Sequence, residues 1–209
     1  MIVSLENLRQ GIRWWAESKS GWGSDYINGE YYEMYSARLS GVTEVWWMAT
    51  VKRLWAWRAI RGPKPPNNVK EITERGIARL DRIALECAKL AGKSGAEPTF
   101  MDSTWEDISA LFQCALEIKP RSQVFASKMC HFLFPNLFMV MDREATGILD
   151  YEFYWRGMQS EWSRFAEKDE ALGLLREAIK SDKEVHELYP FETKILELSH
   201  IGYEHRAKS

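Results

Sequence analysis

The stretch Ser127-Lys-Met-Cys-His-Phe-Leu-Phe-Pro-Asn-Leu-Phe-Met-Val-Met-Asp142 decides how the rest of the chain is read. It opens with a helical pattern, reaches Pro135, continues through an apolar segment and ends on a carboxylate. Between Glu117 and Asp142 there is no other acid, while Lys119, Arg121 and Lys128 all fall there. A carboxylate in such surroundings must be hydrogen-bonded, paired or chemically active, because burying an unpaired charge is costly. Asp142 therefore has two readings: an N-cap for a segment over Arg143–Leu149, or a working group.

Outward from this stretch nearly every periodic segment reads helical. Leu5, Leu8, Ile12 and Trp15 recur at three- and four-residue steps, which predicts an amphipathic helix ending near Ser18. The segment 18–29 is rich in Gly and Ser and holds the turn signal Asn28-Gly29. A helix is expected from Glu30 to near Gly41, and an apolar one over Val42–Arg61. Prolines break the chain at 62–68. Beyond them Val69, Ile72, Leu80, Ile83, Cys87 and Leu90 predict one long helix. Ser103-Thr-Trp-Glu106 has the form of a capping box for a helix to about Leu116, and Pro120 suits the start of a helix over Arg121–Phe134. Further helices are expected over Glu152–Ala166, Ala171–Ile179 and Phe191–His205. No alternating strand pattern exceeds Leu137–Met141. The chain reads as a single all-α domain over 1–209, with 62–68 as the hinge if it divides into two lobes.

A chain of 209 residues can build a substantial core, and 45% hydrophobic with 28% charged residues describes an ordinary globular protein. The ten Trp are unusual, and most are expected in the core. A net charge of −2 does not announce a polyanion partner, but the local distribution differs. No acid separates Glu44 from Glu71, and Lys52, Arg53, Arg58, Arg61, Lys64 and Lys70 lie between them. Two such basic islands suit phosphate binding and equally suit two solvated helix faces. Cys87, Cys114 and Cys130 form no metal-ligand spacing with each other or with the four His, so no metal or cofactor is expected. The N-terminus lacks a secretory pattern and no apolar run is long enough to span a membrane, which together predict a cytoplasmic protein.

A helix bearing a Lys, then an apolar stretch with Pro, then an Asp opening another helix resembles the helix-hairpin-helix DNA glycosylase superfamily. "SKMCHFLFPNLFMVMD" is similar to its small stand-alone members, and the resemblance spans about Pro120 to Leu149. It implies two helical lobes with a cleft between them, DNA as partner, and Asp142 as the catalytic carboxylate at the cleft mouth. Lys128 lies where some relatives carry a nucleophile, but closer to the Asp, which implies the supporting role of a phosphate contact. The family's hairpin normally carries a Gly-hydrophobic-Gly turn whose N–H groups hold a DNA phosphate. Here Lys119–Ser127 has no glycine, so Arg121, Ser122 and the N–H groups after Pro120 are the expected substitutes, with Arg58 and Arg61 as further phosphate contacts.

A glycosylase must also hold a flipped base, by stacking and edge hydrogen bonds. In the loop 22–32, Asn28 suits a base edge, and Trp22, Tyr26 and Tyr31 suit stacking; the bland reading is an Asn-Gly turn with core-packing Tyr residues. His131 is read as packed rather than catalytic. The resulting expectation is a monomeric, monofunctional DNA glycosylase that leaves an abasic site in base-excision repair or antiviral defence. Two alternatives stay open: a helical DNA-binding protein without chemistry, and a partner-binding protein that uses an exposed Trp surface.

Overall fold

The computed structural model describes residues 1–17, 31–34, 36–38, 41–61, 67–92, 97–141, 147–179, 185 and 187–206. Among the described residues there is no strand, and the all-α expectation holds. The chain divides into a terminal unit, Met1–Glu33 with Met141–Ser209, and a middle unit, Met34–Val140. The predicted break at 62–68 falls within the numbers of the middle unit, and 62–66 lie outside the described residues.

The terminal unit joins the two ends of the chain. It contains α1 (Leu5–Glu17), α7 (Tyr151–Arg164), α8 (Lys168–Ala178) and α9 (Phe191–Arg206). The first of these packs on the last, and two glycines let their backbones touch. A Cβ on Gly11 would lie 1.9 Å from the Leu198 carbonyl oxygen, and one on Gly202 would lie 1.9 Å from that of Asn7. The Glu161 carboxylate of α7 accepts from the Ile2 and Val3 N–H groups at 2.7 and 3.1 Å. Buried Asn7 donates to the Ile2 carbonyl at 2.7 Å and accepts from Arg206 at 3.2 Å. Asp150 starts α7 as its N-cap, accepting from the Phe153 N–H at 2.8 Å.

The middle unit contains α2 (Glu44–Ala56), α3 (Val69–Ile77), α4 (Leu80–Ala91), α5 (Trp105–Ile118) and α6 (Gln123–Leu133). The single long helix expected from Val69 to Leu90 is two helices, with Arg79 out of helical geometry at φ −122°, ψ 5°. The cause is packing. The first half lies on α2, where a Cβ on Gly76 would sit 2.0 Å from the Trp47 ring, whose indole N–H donates to the Thr73 carbonyl at 3.0 Å. The second half lies on α5, burying Ile83 and Leu90, and one straight rod does not follow both supports.

The capping box is also displaced by one residue. The S/T-x-x-acid pattern occurs in two overlapping frames, and the structure uses Thr104 with Asp107 rather than Ser103 with Glu106. The Asp107 N–H donates to the Thr104 hydroxyl at 3.3 Å, and the Thr104 N–H donates to the Asp107 carboxylate at 2.9 Å. Residues 137–139 are buried in succession, without strand alternation, because both faces of the segment are covered. Buried His131 reaches across to it, with Nδ1 2.6 Å from the Phe138 carbonyl oxygen. His131 is a packed residue that holds the chain leading to Asp142.

The glycine contacts give a paired test. Gly11→Ala and Gly202→Ala, which meet backbone, are expected to destabilise by about 2 kcal/mol or more. Gly157→Ala, with open space around it, is expected to stabilise by about 0.5–1 kcal/mol through helix propensity. Urea midpoints of the three variants against the parent protein check this.

Candidate nucleic-acid interface

The end of α2 builds the first half of the interface. The Ala59 N–H returns to the Leu54 carbonyl at 2.8 Å and the Arg58 N–H to that of Trp55 at 2.9 Å, the paired closure of a Schellman motif. That motif needs a left-handed residue after the C-cap, normally glycine. Here Arg58 takes it, at φ 54°.

The hairpin between α5 and α6 builds the second half. The Ser122 N–H closes on the Lys119 carbonyl at 3.2 Å, with Pro120 and Arg121 in the central places. The third place of such a turn calls for φ above zero, again a glycine position. Arg121 occupies it at φ 61°. The absence of glycine between Lys119 and Ser127 is thereby accounted for: an arginine bears the left-handed conformation. Both arginines are exposed, and among the described residues neither has a carboxylate partner. A left-handed L-residue costs about 1–2 kcal/mol, so each turn holds an arginine where glycine would be easier.

Two lysines knit the two turns together, and Arg61 closes the first turn on itself. Lys128 Nζ donates to the Trp57 carbonyl at 2.8 Å, Arg61 Nε to the Arg58 carbonyl at 3.0 Å, and Lys119 Nζ to the Ala59 carbonyl at 2.6 Å. Three successive carbonyls of the turn after α2 thus receive a cationic donor each. Burial, with help from Arg61, pulls the Lys119 ammonium below the usual lysine range. Glu117, the nearest acid in sequence, is turned to other partners: both its oxygens lie 2.9 Å from Arg82, and Arg79 is at 3.3 Å. Those hydrogen bonds hold its carboxyl below the usual range. The surface left around Arg58, Arg61 and Arg121 is positive and suited to a polyanion.

The other residues singled out in the sequence fall elsewhere. Lys128 is buried, with its ammonium on a backbone carbonyl. Ser122 stands at the N-cap of α6 without a side-chain cap bond. Tyr31 is fully buried in the terminal unit, edge-on to Tyr189 at 5.1 Å between centroids, which is the core-packing arrangement. Asp142, Asn28, Trp22 and Tyr26 lie outside the described residues. Among the described residues no group of His, Cys, Asp and Glu could hold a metal ion. Burial pushes the Cys87 thiol up to about 12 and raises those of Cys114 and Cys130, so these thiols stay protonated at neutral pH. No helix of the described residues is long and apolar enough to cross a membrane.

Sequence reasoning missed that Lys119 and Lys128 hold backbone carbonyls, and that Trp55 faces solvent. Their partners are 60 and 71 residues away in the chain, so no local signal pointed to them. Replacing Lys128 by Met keeps much of the stem and removes the ammonium donor from the Trp57 carbonyl. We expect Lys128→Met to cost about 1–3 kcal/mol in urea denaturation, whether or not the protein acts on DNA.

Comparison of the chain with protein-family models, curated proteins and solved structures returns no match, so its function is argued from its own residues.

Proposed function

We propose that the protein is a monofunctional DNA glycosylase, which grips the DNA backbone with the paired turns and hydrolyses the N-glycosidic bond of a damaged or modified base. The carrying observation is the pair of exposed arginines at glycine positions, Arg58 at φ 54° and Arg121 at φ 61°. Strain of this kind persists where a surface has a use for the side chain. Polyanion binding is the use that matches two converging cationic turns with no carboxylate among the described residues to neutralise Arg58 or Arg121.

The chemistry rests on Asp142 and on the resemblance of 127–142 to the glycosylase superfamily. Breaking the bond between sugar and base builds positive charge on the sugar ring. The Asp142 carboxylate stabilises that charge and orients a water for attack at the anomeric carbon; the base leaves with the bonding pair, and the proton of the water passes to the carboxylate or to solvent. Lys128 does not suit the part of nucleophile. A Schiff-base nucleophile must present a free amine to the sugar, whereas this ammonium is buried on the Trp57 carbonyl. Hydrolysis that leaves an intact abasic strand is therefore favoured over strand-nicking chemistry. A damaged genomic base and a modified viral base both fit this mechanism.

The arginine turns make stability and binding move in opposite directions. Arg58→Gly and Arg121→Gly are each expected to raise stability by about 0.5–1 kcal/mol, strain relief outweighing the entropy of glycine. Each should also weaken DNA binding and lower the slope of log affinity against log salt by about one. Melting curves and salt-titrated anisotropy check the two halves.

The chemical half is tested by incubating the protein with DNAs of several modification types, then treating with alkali. Breaks appearing only after alkali should fall by a factor on the order of 100 or more in Asp142→Asn, with binding retained. Retained binding with no abasic sites on any substrate would leave a DNA-binding protein without chemistry.

A further inference from the structure

The outward face of α2 carries an apolar stripe that ends at the arginine turn. Val45 is 80% exposed, Met48 43% and Trp55 52%, and exposed Lys52 sits between the last two. The spacing of three, four and three residues places these side chains on one side of the helix. The opposite side is core: Trp47, Val51 and Leu54 are almost wholly covered. Core packing therefore does not explain Trp55. One turn past it stands Arg58, whose N–H donates to the Trp55 carbonyl at 2.9 Å. No acid occurs from Val45 to Lys70.

We propose that Trp55 is a stacking platform for an unpaired nucleotide, whose flanking phosphates are held by Lys52 and Arg58. The inference rests on the polyanion reading of the turns and adds to it a preference for single-stranded or unpaired DNA. The physical reason is the geometry of a base. An indole stacks on the face of a base, and within a continuous duplex those faces are covered by neighbouring pairs. Only an unpaired, flipped or terminal base offers one. Cations beside an exposed aromatic side chain are the arrangement that single-strand binding requires: charge tracks the backbone, and the ring takes the base without regard to sequence. A second copy of the chain is a poorer occupant. A two-fold contact through this stripe would set Lys52, Arg58 and Arg61 against their own equivalents, with no intervening carboxylate on α2 after Glu44.

The test uses the full chain and fluorescence anisotropy with a labelled thymidine oligonucleotide and a fully paired duplex of equal length. Trp55→Ala should weaken single-strand binding by a factor on the order of 10–100 and leave duplex binding within about twofold, while Trp55→Phe keeps most of the affinity. Arg58→Gln should weaken both. Loss on neither substrate in Trp55→Ala, or equal loss on both, overturns the stacking role. If Arg58→Gln and Arg121→Gln weaken both substrates and Trp55→Ala weakens neither, the stacking role alone fails. If none of the three changes either affinity, the polyanion reading of the turns fails with it. Sedimentation of the parent protein as a dimer that Trp55→Ala dissociates would assign the stripe to a second copy and overturn the proposal. Unchanged melting of Trp55→Ala confirms that any lost affinity is not unfolding.

Discussion

The turn that follows α2 inside the folded unit leaves its own carbonyls to find donors, and it meets this requirement with cations. Trp57, Arg58 and Ala59 give their carbonyls to Lys128, Arg61 and Lys119. Backbone groups left unmatched in a buried place cost free energy comparable to a lost hydrogen bond, so the pairing stabilises more than the helix end. It ties the turn after α2 to the hairpin between α5 and α6, through residues far apart in the chain. The positive surface around Arg58, Arg61 and Arg121 follows from that tie.

This arrangement separates two kinds of basic residue. Lys119 and Lys128 set their ammonium groups on backbone carbonyls of the turn after α2. Arg58 and Arg121 bear backbone strain and keep their guanidinium groups at the surface, where a polyanion can meet them. Arg61 belongs to both groups, with one nitrogen on a carbonyl and an exposed side chain. Composition does not make this distinction, because each kind counts equally towards net charge.

The terminal unit is governed by close approach rather than by charge. Gly11 and Gly202 bring α1 and α9 to backbone contact, and α9 is covered along most of its length. Polar residues are enclosed with it, including Lys194 paired to Glu197 at 2.5 Å, and Tyr154 and Tyr189, whose hydroxyls burial holds protonated far above the usual range. A helix with polar groups on a buried side shows little amphipathic pattern in sequence. Its ends are nevertheless legible in the sequence, because Pro190 precedes it and no proline lies inside it.

The sequence by itself determined the all-α class and most helix bounds, because apolar spacing, caps and prolines act within a few residues of one another. It also marked the basic islands and the apolar run to Asp142, which are local in the same sense. Tertiary structure alone decided that the helix after Val69 is broken, since the Trp47 ring over Gly76 and the packing of Ile83 and Leu90 draw its halves to different supports. It alone brought Arg58 beside the hairpin of Arg121 and joined Lys119 and Lys128 to the carbonyls of Ala59 and Trp57. The reason is range: those bonds join residues 60 and 71 apart. No pattern confined to one segment records where another segment's carbonyls will lie.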